Sequence, residues 1–458
     1  MNRIGLAAAL SCIGMAAFAG VQAKVESVTT PGGHQFVFSP VRNTTRVAFQ
    51  VAWPSNWLKE EGRNPALPHL GAALMTRGGA GDMDASELLE NFLDIDATAA
   101  VWATPDHVRA KLDVSIEHLD EALEIALAVL ARPRFDDRWL NRIRDGMHGR
   151  WKQERTQVAN WTWNAVRRAV LGSRTLTAAL SYNDIDALQR VTRDDLLAWH
   201  ARTFGARGAR ITVAGNIPRF EAVAAVDRVL GALREGSTEP AVAVEADFSP
   251  RTILVHVPDA EKTMIGFVGR LPSLVHGGEN EDVIAVEVLG SGLTSRIFEA
   301  IRTKLRASYA PGATVASYTR DIRLFGMWGE VEADKLTRSR ETMLDAYRTF
   351  REEGPTVREL DSAKARIRRN MRANLKMPAT VAHVLMELAL DGLEVQSADD
   401  LLRELDATSA ESVANRLRQA FPTPEELIQV IVTANRDAVD GACVVRTIEE
   451  VDGCPAAG

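Results

Sequence analysis

The feature that most restricts the fold is a duplication. Near the end of each half a short β-branched strand closes in a turn: Arg210–Ala214 runs into Gly215-Asn216, and Ile428–Thr433 into Ala434-Asn435. Superimposing these strands puts Val213 on Val432, an offset of 219, and the helix-breaking prolines Pro133 and Pro355 give 222. Near-equal offsets at unrelated landmarks mark a true repeat. Two units of about 210 residues indicate a duplicated domain, because solenoid periods are only about 20–50 residues long.

Strands and helices recur in the same order in both units. In the first, His34–Phe38 and Arg46–Trp53 alternate as strands do, and Leu67–Thr76 and Ala85–Phe92 read as helices. Val108–Val114 is a predicted strand. Leu119–Leu130 is an amphipathic helix with Leu119, Leu123, Ala126, Leu127 and Leu130 on one stripe, and Asp136–Glu154 starts the next helix. In the second unit Ile253–Val257, Thr263–Gly269, Gly312–Tyr318 and Phe325–Val331 are predicted strands, and Asp282–Leu289, Ser295–Leu305, Arg338–Glu352 and Val357–Ala373 predicted helices. The expected class is α+β, each unit a mostly antiparallel sheet covered by helices. The expected division is 24–233, a linker at 234–250 that contains Gly236-Ser237-Thr238-Glu239-Pro240, and 251–458.

Residues 1–23 read as a signal peptide. Arg3 precedes the apolar stretch Ile4–Ala19, and Val21-Gln22-Ala23 obeys the small-x-small cleavage rule, so the mature chain is expected to start at Lys24 in the periplasm or outside the cell. No later run reaches the ~18 apolar residues of a membrane span. With 54 Lys and Arg against 61 Asp and Glu, the net charge of −7 lacks the basic footprint of a nucleic-acid binder. Of three cysteines, Cys12 leaves with the signal peptide. Cys443 and Cys454 remain in the tail, either as a disulfide or as two surface thiols.

The residues alone present no complete catalytic set. The nine histidines form no HExxH pair, and His118-Leu119-Asp120-Glu121-Ala122, half of an inverted zinc motif, is accounted for by its helical stripe. Gly290-Ser291-Gly292-Leu293 lacks the Gly-Lys-Ser/Thr ending of a phosphate loop, and there is no Gly-x-Ser-x-Gly elbow. The numerous carboxylates read as solvated helix faces opposite apolar stripes.

Several stretches nevertheless resemble one family. Pro31-Gly32-Gly33 through Gly78 contains Ala66-Leu67-Pro68-His69-Leu70-Gly71-Ala72-Ala73, followed by Leu119-Asp120-Glu121-Ala122-Leu123 and Arg134-Phe135-Asp136. Gly290 to Ser308, with Tyr309 after it, continues the pattern. Together they are similar to the insulinase/pitrilysin-type metallopeptidases, the inverzincins, especially the mitochondrial-processing-peptidase-like branch. The resemblance implies two αβ-roll domains. It also implies a zinc helix in which two histidines share a face and a glutamate acts as base on metal-bound water.

In that register His69 keeps the first ligand, Ala72 stands for the base and Ala73 for the second ligand. The third-ligand glutamate falls on Gly149, beside His148. A catalytic zinc needs about three protein ligands, so no metal is expected in this chain and His69 reads as a relic or a helix-surface residue. Ala100-Val101 occupies the strand where active members often show Asn-Ala. The second unit keeps the family's pair of Arg302 and Tyr309, seven residues apart, which reaches the substrate carbonyl. Arg306 stands where the family usually has glycine, which predicts a different local turn. The resemblance thus implies a zinc-less subunit, inactive alone, of a heterodimeric metallopeptidase. A homologous subunit bearing His-x-x-Glu-His would hold the zinc, and a peptide would be the substrate. The competing reading is a non-catalytic scaffold or peptide-binding homologue.

Overall fold

The computed structural model describes residues 25–59, 62–154, 157–172, 185–241, 243–308, 311–393 and 398–456. The proposed signal peptide at 1–23 lies outside the described residues. The strands are β1 (Glu26–Thr29), β2 (Gln35–Pro40), β3 (Arg46–Pro54), β4 (Thr98–Ala103), β5 (His107–Ser115), β6 (Arg210–Gly215), β7 (Thr252–His256), β8 (Thr263–Leu271), β9 (Gly312–Ser317), β10 (Arg323–Val331), β11 (Ile428–Thr433) and β12 (Cys443–Val445). The first half carries helices α1 (Leu67–Met75), α2 (Ala85–Asp94), α3 (Leu119–Ala131), α4 (Asp137–Glu154), α5 (Val158–Leu171), α6 (Ile185–Gln189), α7 (Arg193–Thr203) and α8 (Arg219–Gly231). The second carries α9 (Glu279–Gly290), α10 (Leu336–Glu353), α11 (Val357–Asn374), α12 (Pro378–Asp391), α13 (Ala398–Ala407) and α14 (Ala410–Ala420).

These strands form two six-stranded sheets of matching order, β1-β2-β6-β3-β5-β4 and β12-β7-β11-β8-β10-β9. Placing β3 on β8 shifts the numbering by 217, and α5 on α12 by 220, in line with the repeat. Most pairings are antiparallel, with β2 beside β6, β7 beside β11 and β12 beside β7 parallel. The central strands are buried on both faces, as β3 shows by its nearly unbroken apolar run, Arg46-Val-Ala-Phe-Gln-Val-Ala-Trp-Pro54. That pattern signals a sheet with both sides covered.

How the second side is covered is the main departure from two self-contained units. Helix α5 of the first half packs on the second sheet, with Val158, Val166, Val170 and Leu171 against Ile253, Val255, Met264 and Val268. Gly266 permits this approach, since a Cβ there would lie 2.7 Å from Thr162 Cγ2. In return, α12 of the second half lays Val381, Ala382 and Leu385 on Val41, Ala48 and Ala214 of the first sheet. Thr212 Oγ1 donates to the Ala382 carbonyl at 2.7 Å in that contact. Each half therefore completes its partner's core.

The C-terminal tail fastens one of these exchanges. Cys443, in β12, and Cys454 form a disulfide. Val445, Ile448 and Val451 pack with the α5 cluster, and Asp452 accepts from the buried Arg168 of α5 at 2.6 Å. Closing a loop of 11 residues removes denatured-state entropy worth about 3 kcal/mol. Replacing both cysteines with serine is expected to cost about that much. Urea unfolding with and without reductant checks it: the wild type should fall to the variant's midpoint only when reduced.

Candidate functional site

Helix α1 forms because Leu67, Leu70 and Leu74 recur on one buried stripe, with Pro68 in its first turn. Gly71 fixes its roll. A Cβ there would sit 2.5 Å from the Trp199 ring of α7, so the two helices touch backbone to indole. This roll turns His69 inward. Its Nε2 is buried, and burial with the nearby Arg167 guanidinium of α5 pulls the imidazole down to about 4. The ring is thus neutral above that pH, and the expected surface position is corrected.

Ala72 is buried in the first core at 1% exposure and Ala73 is half-buried one position on. Both lie within one helical turn of His69, where the base and second ligand would stand. Helix α1 packs on α4, which carries Gly149, exposed and facing open space, next to the half-buried His148. The fold therefore brings together the two helices on which the resemblance would place zinc ligands, while the side chains at those positions offer one imidazole, two methyl groups and a hydrogen. Among the described residues no group of three His, Cys, Asp or Glu is placed to hold a metal. The donor set does not fit zinc.

Arg302 lies elsewhere, in the second half. The Ser295–Leu305 helix expected from the sequence is a π-helix at Phe298–Lys304, with Arg302 half-buried on it and Ile301 anchoring it in the core. The wide turn follows from its anchors. Gly290 presses on β9, where a Cβ would meet the Ala313 nitrogen at 2.0 Å, and Ser308 bridges to Val331. Tyr309 lies outside the described residues. Arg306 adopts φ +50°, the left-handed backbone that glycine favours. The exposed Arg306→Gly variant is expected to gain about 0.5–1 kcal/mol, because relief of the left-handed strain outweighs the added chain entropy. A fall in Tm would refute this.

Two further groups were not anticipated. Arg296 is a structural clamp, gripping both oxygens of Glu359 at 2.8 and 2.9 Å and lying over the Phe350 ring. Between the halves lies a buried ionic centre. Arg109 of β5 pairs with Glu387 of α12, and Arg320, just after β9, reaches Glu387 at 2.8 Å, Asp391 at 3.0 Å and Asp106 at 3.4 Å. His107 and His383 flank it at 3.3 Å from Asp106 and 3.6 Å from Glu387. Burial opposes the charge of Glu387, yet Arg109 and Arg320 hold its carboxyl down to about 2. Asp106 is likewise held well below the usual range against its burial, by His107 and Arg320, whereas burial keeps Asp391 above it. Outside this centre another buried carboxylate, Asp282, has no exposed surface and is gripped by Arg323 and Arg416. The reading of the carboxylates as solvated faces fails at these positions. Glu387 and Asp391 stand four residues apart, the same spacing as a wet stripe, so only the partner sheet distinguishes them.

The geometry matches known proteins. A family model described as the peptidase M16 inactive domain matches residues 190–367, a span that holds the π-helix and Arg302 and excludes α1. Residues 190–367 thus match the M16 inactive domain, and the fold of the chain as a whole is similar to that of M16 proteins. A relative, the uncharacterized zinc protease YmxG of Bacillus subtilis (strain 168), is 20% identical over 361 residues, 78% of this chain and 86% of its own length. The peptidase M16 inactive domain from Pseudomonas fluorescens superimposes with a TM-score of 0.79 at 19% identity, covering 89% of this chain and 98% of that one. The first half of the periplasmic protease PqqL from Escherichia coli gives 0.69 at 15% identity over 96% of this chain and 97% of that one. These structures establish the two-domain M16 fold. No helix among the described residues is long and apolar enough to cross a membrane.

Proposed function

We propose that this protein is the zinc-less subunit of a two-chain periplasmic metallopeptidase of the M16 type. One observation carries the reading: α1 packs on α4, the two helices that would carry the zinc site, while Ala72, Ala73 and Gly149 stand where its base and ligands would be. The partner, a homologue with an intact His-x-x-Glu-His helix, would hold the zinc. Arg302 and Tyr309 would enter the partner's site, where a guanidinium and a phenol orient the scissile carbonyl and stabilise charge developing on it. A peptide would add to a sheet edge. β4 is suited to this, being an edge strand, Thr98-Ala-Ala-Val-Trp-Ala103, without proline or charge to guard it. The name zinc protease on a relative and the periplasmic setting of PqqL support the assignment.

Co-expression with such a homologue, followed by a peptide-cleavage assay, tests it. Arg302→Ala and Tyr309→Phe should each lower kcat by about 10²–10³ in the assembled pair, the usual effect of removing one transition-state donor. Parental rates in both variants would refute the shared site. Stoichiometric zinc and cleavage by the isolated chain would refute the zinc-less assignment. Absence of cleavage in every pairing would favour the peptide-binding scaffold.

A further inference from the structure

A cavity in the first half has no part in that reading. It encloses about 610 Å³, its open mouth included, between the inner face of the first sheet and α3, α8 and the end of α2. The floor is set by register: Val101 lies opposite Ala110, Ala110 opposite Val51, and Val51 opposite Ile211, so one row crosses β4, β5, β3 and β6. Three interstrand steps of about 4.8 Å make it about 14 Å long. Small side chains create the space, with Ala99 and Ala110 below and Ala126 of α3 above. Ala99, Val101 and Ala126 are half-exposed, while Ile211, Val229 and Phe49 are buried. The cavity therefore opens beside β4 and runs inward to β6, lined almost wholly by apolar side chains.

We infer that this channel binds an unbranched aliphatic chain. A peptide side chain is too short to fill 14 Å. The walls are apolar apart from Thr76 and Lys111, so a ligand with polar groups along its length would bury them unpaired at a cost. At about 1.25 Å of advance per carbon, set by C–C bonds of about 1.5 Å, the channel holds about 11 carbons with the head group left in water beside Thr76.

Sodium salts of the straight-chain acids from hexanoate to hexadecanoate, titrated into the full chain below their micelle concentrations, test this. Affinity should rise roughly fourfold per methylene and level off near 11–12 carbons. Ala126→Leu and Ala110→Val, which fill the channel, should weaken dodecanoate at least tenfold while Tm holds or rises. Comparing dodecanoate with N-dodecanoyl-glycylglycine separates the sources: equal affinity identifies a free acid, and tighter binding of the conjugate identifies an acylated peptide lying along β4. No saturable binding, a steady rise past 14 carbons, or unchanged binding in a folded filling variant would overturn the proposal. The plateau is read on the unaltered protein, so it decides the question even where a variant fails to fold.

Discussion

Arg320→Ala is expected to lower stability by about 3–5 kcal/mol at pH 7, the usual cost of removing one partner from a buried ionic group. The side chains it leaves behind, those of Asp106, Glu387 and Asp391, are only 8%, 19% and 11% exposed, so water cannot take over the guanidinium's role. Arg109 remains on Glu387 and His107 on Asp106, which keeps the loss from being larger. The pH dependence is the more specific readout. Glu387 and Asp106 have depressed folded pKa values, so the stability they contribute is present above an unfolded value near 4 and is lost as pH falls through the folded values, about 2 for Glu387. Asp391, raised, works the other way and costs stability as pH rises through its folded value. With Arg320 gone the two depressed values climb. The gap between wild type and variant should therefore be widest above pH 5 and narrow toward pH 2. Urea unfolding midpoints from pH 7 to pH 3 measure it, and a gap under 1 kcal/mol or constant with pH would sink the account.

Cutting the chain in the linker should have a still larger effect. Residues 24–240 alone would expose the apolar face of α5 and the outer face of the first sheet. Residues 241–458 alone would expose the α12 face and the outer face of the second. Val158, Val166, Val170 and Leu171 on α5 contribute roughly 1.5–3 kcal/mol each when buried, so losing this contact forfeits on the order of 6–12 kcal/mol. That is comparable to the whole stability of a domain. Neither half is expected to unfold cooperatively by itself, whereas the two expressed together should reassemble. Two soluble, separately cooperative halves with near-native helix content would show that the exchange of α5 and α12 contributes little.

Much of this architecture is legible along the chain because it rests on local period. Strand alternation, the stripe Leu119–Leu123–Ala126–Leu130, and the breaks at Pro133 and Pro355 are short-range properties, and repeating them at a nearly fixed offset specified two matching sheets. The identity of the side chains on α1 was equally plain, since two alanines where a base and an imidazole are needed is a statement of chemistry. Other features depend on which surfaces meet. Nothing near His69 in the sequence signals Arg167, about a hundred residues away, whose helix crosses to the other sheet. Arg296 lies in the recognised segment Gly290–Ser308, yet nothing beside it in sequence signals its clamp on Glu359, 63 residues on. The left-handed backbone of Arg306 is likewise set by its surroundings, where Ala307 donates to the Ile301 carbonyl at 2.8 Å.

By itself the sequence determined the repeat and the order of the elements, because each is written in neighbouring residues. Only the tertiary structure decided that the halves trade helices, that charges at β5 and α12 are buried together, and that small residues on β4, β5 and α3 leave a channel. Those outcomes are set by pairs of faces distant in sequence, and a helix or strand carries no local mark of the face it will meet.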